Sequence, residues 1–109
     1  MASVGRLALS VRALPMILPV RYVVDDASVA ISLGRLGMPA AAVHDAVVAF
    51  AVDDIDLSAS SGWMVQMQGR ARVSVTGTPD GLDPPQMVRL VPGTVTGHRF
   101  TLPPFTTAG

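Results

Sequence analysis

The sequence predicts an all-β fold, a small antiparallel barrel with one short helix, and three observations carry that expectation. The first is the stretch Gly62 to Val75, GWMVQMQGRARVSV. Trp63, Val65, Met67, Gly69, Ala71, Val73 and Val75 fall on one side of it, and Gln66, Gln68, Arg70, Arg72 and Ser74 on the other. A period of two marks a strand with one apolar face, because in a helix residues i and i+2 point about 200° apart. The second is the recurrence of turn signals at short intervals along the chain. The third is the lack of any strand–helix–strand alternation, which argues against an open parallel sheet.

Taken in order, Gly5 to Ala13 alternates Leu7, Leu9, Val11 and Ala13 against Arg6, Ala8, Ser10 and Arg12, a half-buried strand that Leu14-Pro15 ends. Ile17 to Val24 reads as the next strand, with Pro19 inside it at an unpaired or bulged position. Asp25-Asp26 suits a two-residue hairpin turn, and Ser28 to Leu33 returns. Gly34 to Met38 is a turn; Pro39, at a first helical position, and the apolar residues to Val43 read as a short helix ending near Asp45. Val47 to Val52 is a strand expected to be buried on both faces, and Asp53 to Ser61 a polar loop feeding the long central strand. Gly69 in mid-strand is costly unless the chain bends there or another backbone approaches closely. Thr76 to Pro85 is a turn region, and Met87 to Val91 and Thr94 to Phe100 complete the sheet on either side of Pro92-Gly93. The tail from Leu102 is expected to fray or to lie across a neighbour.

Composition narrows the function classes. The 109 residues suffice for one domain with its own core. Half of them are apolar and 15% are charged, which suggests that a second subunit covers some apolar surface. Net charge is zero, so nothing steers the chain toward nucleic acid or an acidic membrane. Zero Cys excludes disulfides and thiolate chemistry. Every cation is Arg and every anion Asp, so no Lys is available as a phosphate clamp. The N-terminus lacks the pattern of a secretory signal and no apolar run is long enough to span a bilayer, which makes the cytoplasm the expected location.

Few residues suggest chemistry. His44 and His98 are far apart in sequence and not in a metal-ligand spacing, and both read as surface residues. Asp53, Asp54 and Asp56 have the chemistry of a hard-cation cluster, but a solvated loop before a strand explains them more simply. Gly34-Arg35-Leu36-Gly37, a glycine turn carrying an Arg ahead of a helix, is the nearest approach to an anion site. Trp63 is either core or an aromatic plate for a planar ligand or a partner.

The segments GRLALSV, PMILPVRYVVDD, VVAFAVDDID, SGWMVQMQGRARV and VTGHRF occur in the order and approximate spacing of the pyridoxamine 5′-phosphate oxidase-like proteins. The chain most resembles the short actinobacterial members of that flavin-binding group, from Gly5 to about Phe100. The resemblance implies a six-stranded antiparallel split β-barrel of Greek-key topology, residues 1–101, followed by a tail, residues 102–109. It also implies a homodimer with FMN, or deazaflavin F420 in some branches, in clefts between the subunits. In such relatives a strand Arg, a following Thr and a Lys before the short helix hold the flavin phosphate. Ser32, Leu33 and Met38 stand at those positions here, and Met64 replaces a common Ser. Ser32, Gly34, Arg35 and Gly37 are therefore expected near the phosphate, with Arg35 the nearest replacement cation. The Pro19-Val20-Arg21 backbone and Trp63 are expected to flank the ring. The alternative, motivated by the missing Arg and Lys, is a degenerate cofactor-free barrel serving as a dimeric interaction module.

Overall fold

The computed structural model describes residues 3–34, 43–75 and 86–105, which form six strands, three tight turns, the segment 43–46 and the end 102–105. The strands are β1 (Ser3–Val11), β2 (Leu14–Asp25), β3 (Ser28–Gly34), β4 (Val47–Asp56), β5 (Ser61–Val75) and β6 (Gln86–Thr101). All neighbours are antiparallel, and the ring β1-β2-β3-β6-β5-β4 closes where β4 pairs with β1. β4 thus returns to lie beside β1 after the β1-β2-β3 meander, which is the Greek-key arrangement.

The alternation along each strand fills the barrel. Leu7, Val20, Ile31, Phe50, Val88 and Leu90 point inward and are buried. The Phe50 ring packs edge-on against Tyr22, centroids 5.0 Å apart, and lies over the backbone of Gly5. Gly5 has no side chain because the Phe50 ring occupies the place where its Cβ would be.

Several element boundaries differ from the sequence expectation. The first turn is Arg12-Ala13, both at positive φ (53° and 65°), and Pro15 sits inside β2 opposite Ser10. β2 gains β3 as a second partner only from Arg21 on, so Pro15 and Pro19 lie where it is paired on one side, the place where a missing N–H is tolerated. The next turn is Asp26-Ala27, one residue later than expected. β4 is not buried on both faces: Val48 and Phe50 are buried, while Val47 is 65% exposed. The expected polar loop is mostly strand, since β4 runs on to Asp56 and only Leu57 to Ser60 turn. Pro92-Gly93 does not separate two strands; β6 is continuous through it.

Gly69 behaves as its placement requires. The β5–β6 register shifts between Gln68 and Gly69, and a Cβ there would collide with the carbonyl oxygen of Val91. The wall bends at this point. On one side of the bend β5 closes the barrel, and on the other β4, β5 and β6 extend together as an arm ending at Leu57 to Ser60. The expected helix lies outside the described residues apart from its end, Val43 to Asp45, and the Thr76 to Pro85 turn lies outside them entirely. No helix among the described residues is long and apolar enough to cross a membrane.

Candidate functional site

Among the described residues, apolar side chains fill the interior, and clefts open on the outer wall and on the arm. On the outer wall, the register lines up Ile17, Ala8 and Ala49 across β2, β1 and β4. Next to that row run Pro19, Arg6, Ala51 and Gln66. The outward alanines leave a groove of about 430 Å³ bordered by Ile17, Met64, Gln66, Arg6 and Asp53. That volume lies within the range of small-molecule sites, and its composition, an apolar floor with a few polar groups, is the usual one.

Arg21 continues this surface. It is exposed and stands directly opposite Ser32 of β3 on one side and Val4 of β1 on the other. Directly opposed residues share a face, with Cβ atoms about 5 Å apart. The guanidinium and the Ser32 hydroxyl therefore belong to one patch, and among the described residues Arg21 makes no ion pair. Arg21 is thus a cation beside Ser32 that reading along the chain passes over in favour of Arg35.

The other expected site residues divide into three groups. Pro19 is exposed beside the groove, and Val20 is 4% exposed and faces the core, leaving only its backbone to a ligand. Gly34 ends β3 opposite Gln86, after a register shift that follows Ser32. Arg35, Gly37 and Met38 lie outside the described residues. Leu33 is 2% exposed and points into the barrel, so the position that carries Thr in the resembling proteins offers no contact here.

Trp63 is 41% exposed and lies on the arm, on the face opposite to the groove residues Met64 and Gln66. Its direct neighbours are Asp54 on β4 and Arg99 on β6. With Asp56, Ser61, Gly62, Phe100 and Thr101 they line a cleft of about 510 Å³ at the arm's end. Within one protomer Trp63 and Arg21 are three strands apart, roughly 14 Å along the sheet, and face opposite sides. The structure does not bring them together.

The acidic cluster does not converge. Asp53 and Asp54 point to opposite faces of β4, and Asp56 is engaged in the turn. Its Oδ1 accepts hydrogen bonds from Ser58 Oγ (2.6 Å), the Ser58 N–H (3.0 Å) and the Ala59 N–H (3.3 Å). These donors, the Ser58 hydroxyl foremost, hold the Asp56 carboxyl below the usual carboxylate range. His98 is exposed opposite Met64, whereas His44 accepts a hydrogen bond from the Val73 backbone.

A Greek-key split barrel with a filled interior and an open, alanine-floored outer wall defines a structural class rather than a reaction. Within that class the chain belongs to the pyridoxamine 5′-phosphate oxidase family, whose family model matches residues 1–99. Among solved structures it is similar to the FAD binding protein from Mycobacterium smegmatis, at 28% identity and a TM-score of 0.68, covering 89% of this chain and 82% of that one. It shares its fold with a FAD-binding protein from Mesorhizobium loti, at 21% identity and a TM-score of 0.62, covering 88% and 82%. A conserved protein of unknown function from Corynebacterium diphtheriae has the same fold, at 23% identity and a TM-score of 0.67, covering 92% and 86%. No match was found among curated proteins.

Proposed function

We propose that this protein binds a flavin along the outer wall of the barrel and serves as a redox protein. Two findings support the reading together: membership of the pyridoxamine 5′-phosphate oxidase family and likeness to a FAD binding protein. The observation that carries its placement is the Arg21–Ser32 pair beside the alanine-floored groove. A guanidinium and a hydroxyl on one face suit a phosphate or pyrophosphate, to which Arg donates in a planar fork. The groove, floored by Ala8, Ala49 and Ala51, suits a flat ring, with the Pro19-Val20-Arg21 backbone along its edge. Arg35 and Gly37 are the further phosphate candidates. The bound flavin supplies the hydride chemistry, and the protein supplies position and exclusion of water.

A homodimer belongs to this reading. The groove is open and Ile17 at its border is 71% exposed, so a second copy would complete the walls. Trp63, which cannot reach the groove in its own protomer, is the aromatic group that a second copy can bring.

Titration with FMN, FAD and F420, followed by fluorescence quenching, tests the proposal. At least one is expected to bind at micromolar concentration, and binding of none at tens of micromolar would refute it. A cofactor-free interaction module is the second reading, and the burial of Leu33 is the observation favouring it. That reading requires colourless protein and no flavin affinity.

A further inference from the structure

β5 outlasts its partner. Pairing with β4 stops at Val47 opposite Arg70, so among the described residues the edge of β5 beyond that point has no strand neighbour on this side. Residues 43–46 take its place. The Ala71 N–H donates to the Ala46 carbonyl (2.9 Å), and the Asp45 N–H donates to the Ala71 carbonyl (2.7 Å). The next donor along this edge, the Val73 N–H, donates to a side chain, Nδ1 of His44, at 3.1 Å. A side chain thus completes a backbone ladder. Val43, fully buried, anchors the same strap in the core.

The substitution of imidazole for carbonyl has a chemical consequence. An imidazole nitrogen accepts only while it keeps its lone pair, so this hydrogen bond requires the neutral ring with its proton on Nε2. The imidazolium carries N–H on both nitrogens and would face the Val73 N–H donor to donor. The charged groups of the adjoining segments are paired among themselves. Arg70 donates to the Asp45 carbonyl (3.0 Å), and Arg72 pairs with the Asp45 carboxylate (3.6 Å). Asp45 is therefore engaged with both arginines of β5. Arg89, opposite Arg72 on β6, is turned to Asp25 and Ser28.

We propose that His44 is a protonation-sensitive clasp: uncharged, it holds the 43–46 strap across the open edge of β5, and charged, it lets that edge go. The strap then keeps two backbone hydrogen bonds in place of three contacts, and the barrel opens more readily beside Val73.

Backbone hydrogen exchange at Val73 tests this in the full chain without any ligand. Protection is measured relative to the intrinsic rate from about pH 8 to about pH 5, where histidines change charge. In the wild type it is expected to fall about tenfold on acidification, the loss of one hydrogen bond. His44→Asn places a non-titrating carbonyl near the position of Nδ1, and there protection is expected to stay flat. In His44→Phe it is expected to be low throughout. Wild-type protection that does not change with pH, or a His44→Asn variant that tracks the wild type, would overturn the proposal. Should His44→Phe fail to fold, the other two chains still decide it.

Discussion

A methyl group added at Gly5 would meet the Phe50 ring, which is itself packed edge-on against Tyr22. Gly5→Ala is therefore expected to destabilise the barrel by roughly 1–3 kcal/mol, the usual cost of overpacking, read as a lower urea midpoint at unchanged slope. The alternation in β1 identifies Leu7 and Leu9 as core, but nothing local distinguishes Gly5 as the residue under an aromatic ring three strands on in sequence. Arg21 illustrates the same limit at the site. Reading along the chain offers Arg35 as the cation near Ser32, whereas the β2–β3 register sets Arg21 directly opposite it. Arg21→Ala is expected to weaken flavin binding about tenfold to hundredfold, since a charge-assisted hydrogen bond is worth roughly 1.5–3 kcal/mol. Its urea midpoint is expected to stay at the wild-type value, because the side chain is exposed and unpaired among the described residues.

At the scale of elements, the turns were harder to read than the strands. Arg12-Ala13 takes left-handed backbone at both positions without Gly or Asn, so no turn signal marks it, and the adjacent Pro15 draws attention to itself instead. Such conformations cost a non-glycine residue about 1 kcal/mol or more. Ala13→Gly is accordingly expected to raise stability by up to about 1 kcal/mol, less what glycine gains in the unfolded chain. Pro92-Gly93 misleads in the opposite sense: it resembles a hairpin turn and is the outer side of the bend at Gly69, inside one long strand. The β4–β5 turn rests on Asp56. Its carboxyl is held low in the folded state, so its stabilising contribution is complete above the unfolded-state pKa and disappears as pH falls through the folded value. Asp56→Asn is expected to lower the urea midpoint at neutral pH and to make no difference in strong acid.

The whole molecule is legible in outline: period-two patterning, frequent turns and the lack of strand–helix–strand alternation lead to the closed antiparallel barrel that the chain forms. The order of strands around it is not, because β3 pairs with β6 across 52 residues of sequence counted from Gly34 to Gln86, and only tertiary packing decides such partners. Which face offers the groove is equally hidden, since outward Ala8, Ala49 and Ala51 look like weak core positions until the barrel turns them to solvent. If two copies close over that wall, Ala49→Arg would bury an unpaired charge between them. The wild type is then expected to sediment as a dimer and the variant as a monomer. The most direct measurement of the account is a map of backbone amide shifts as FMN or FAD is added to isotopically labelled protein. The amides of Arg21, Ser32, Ala49 and Ala51 are expected to move together and to saturate with the flavin. Amides that stay still at saturating flavin, or shifts confined to Asp54, Trp63 and Arg99 at the arm's end, would contradict it.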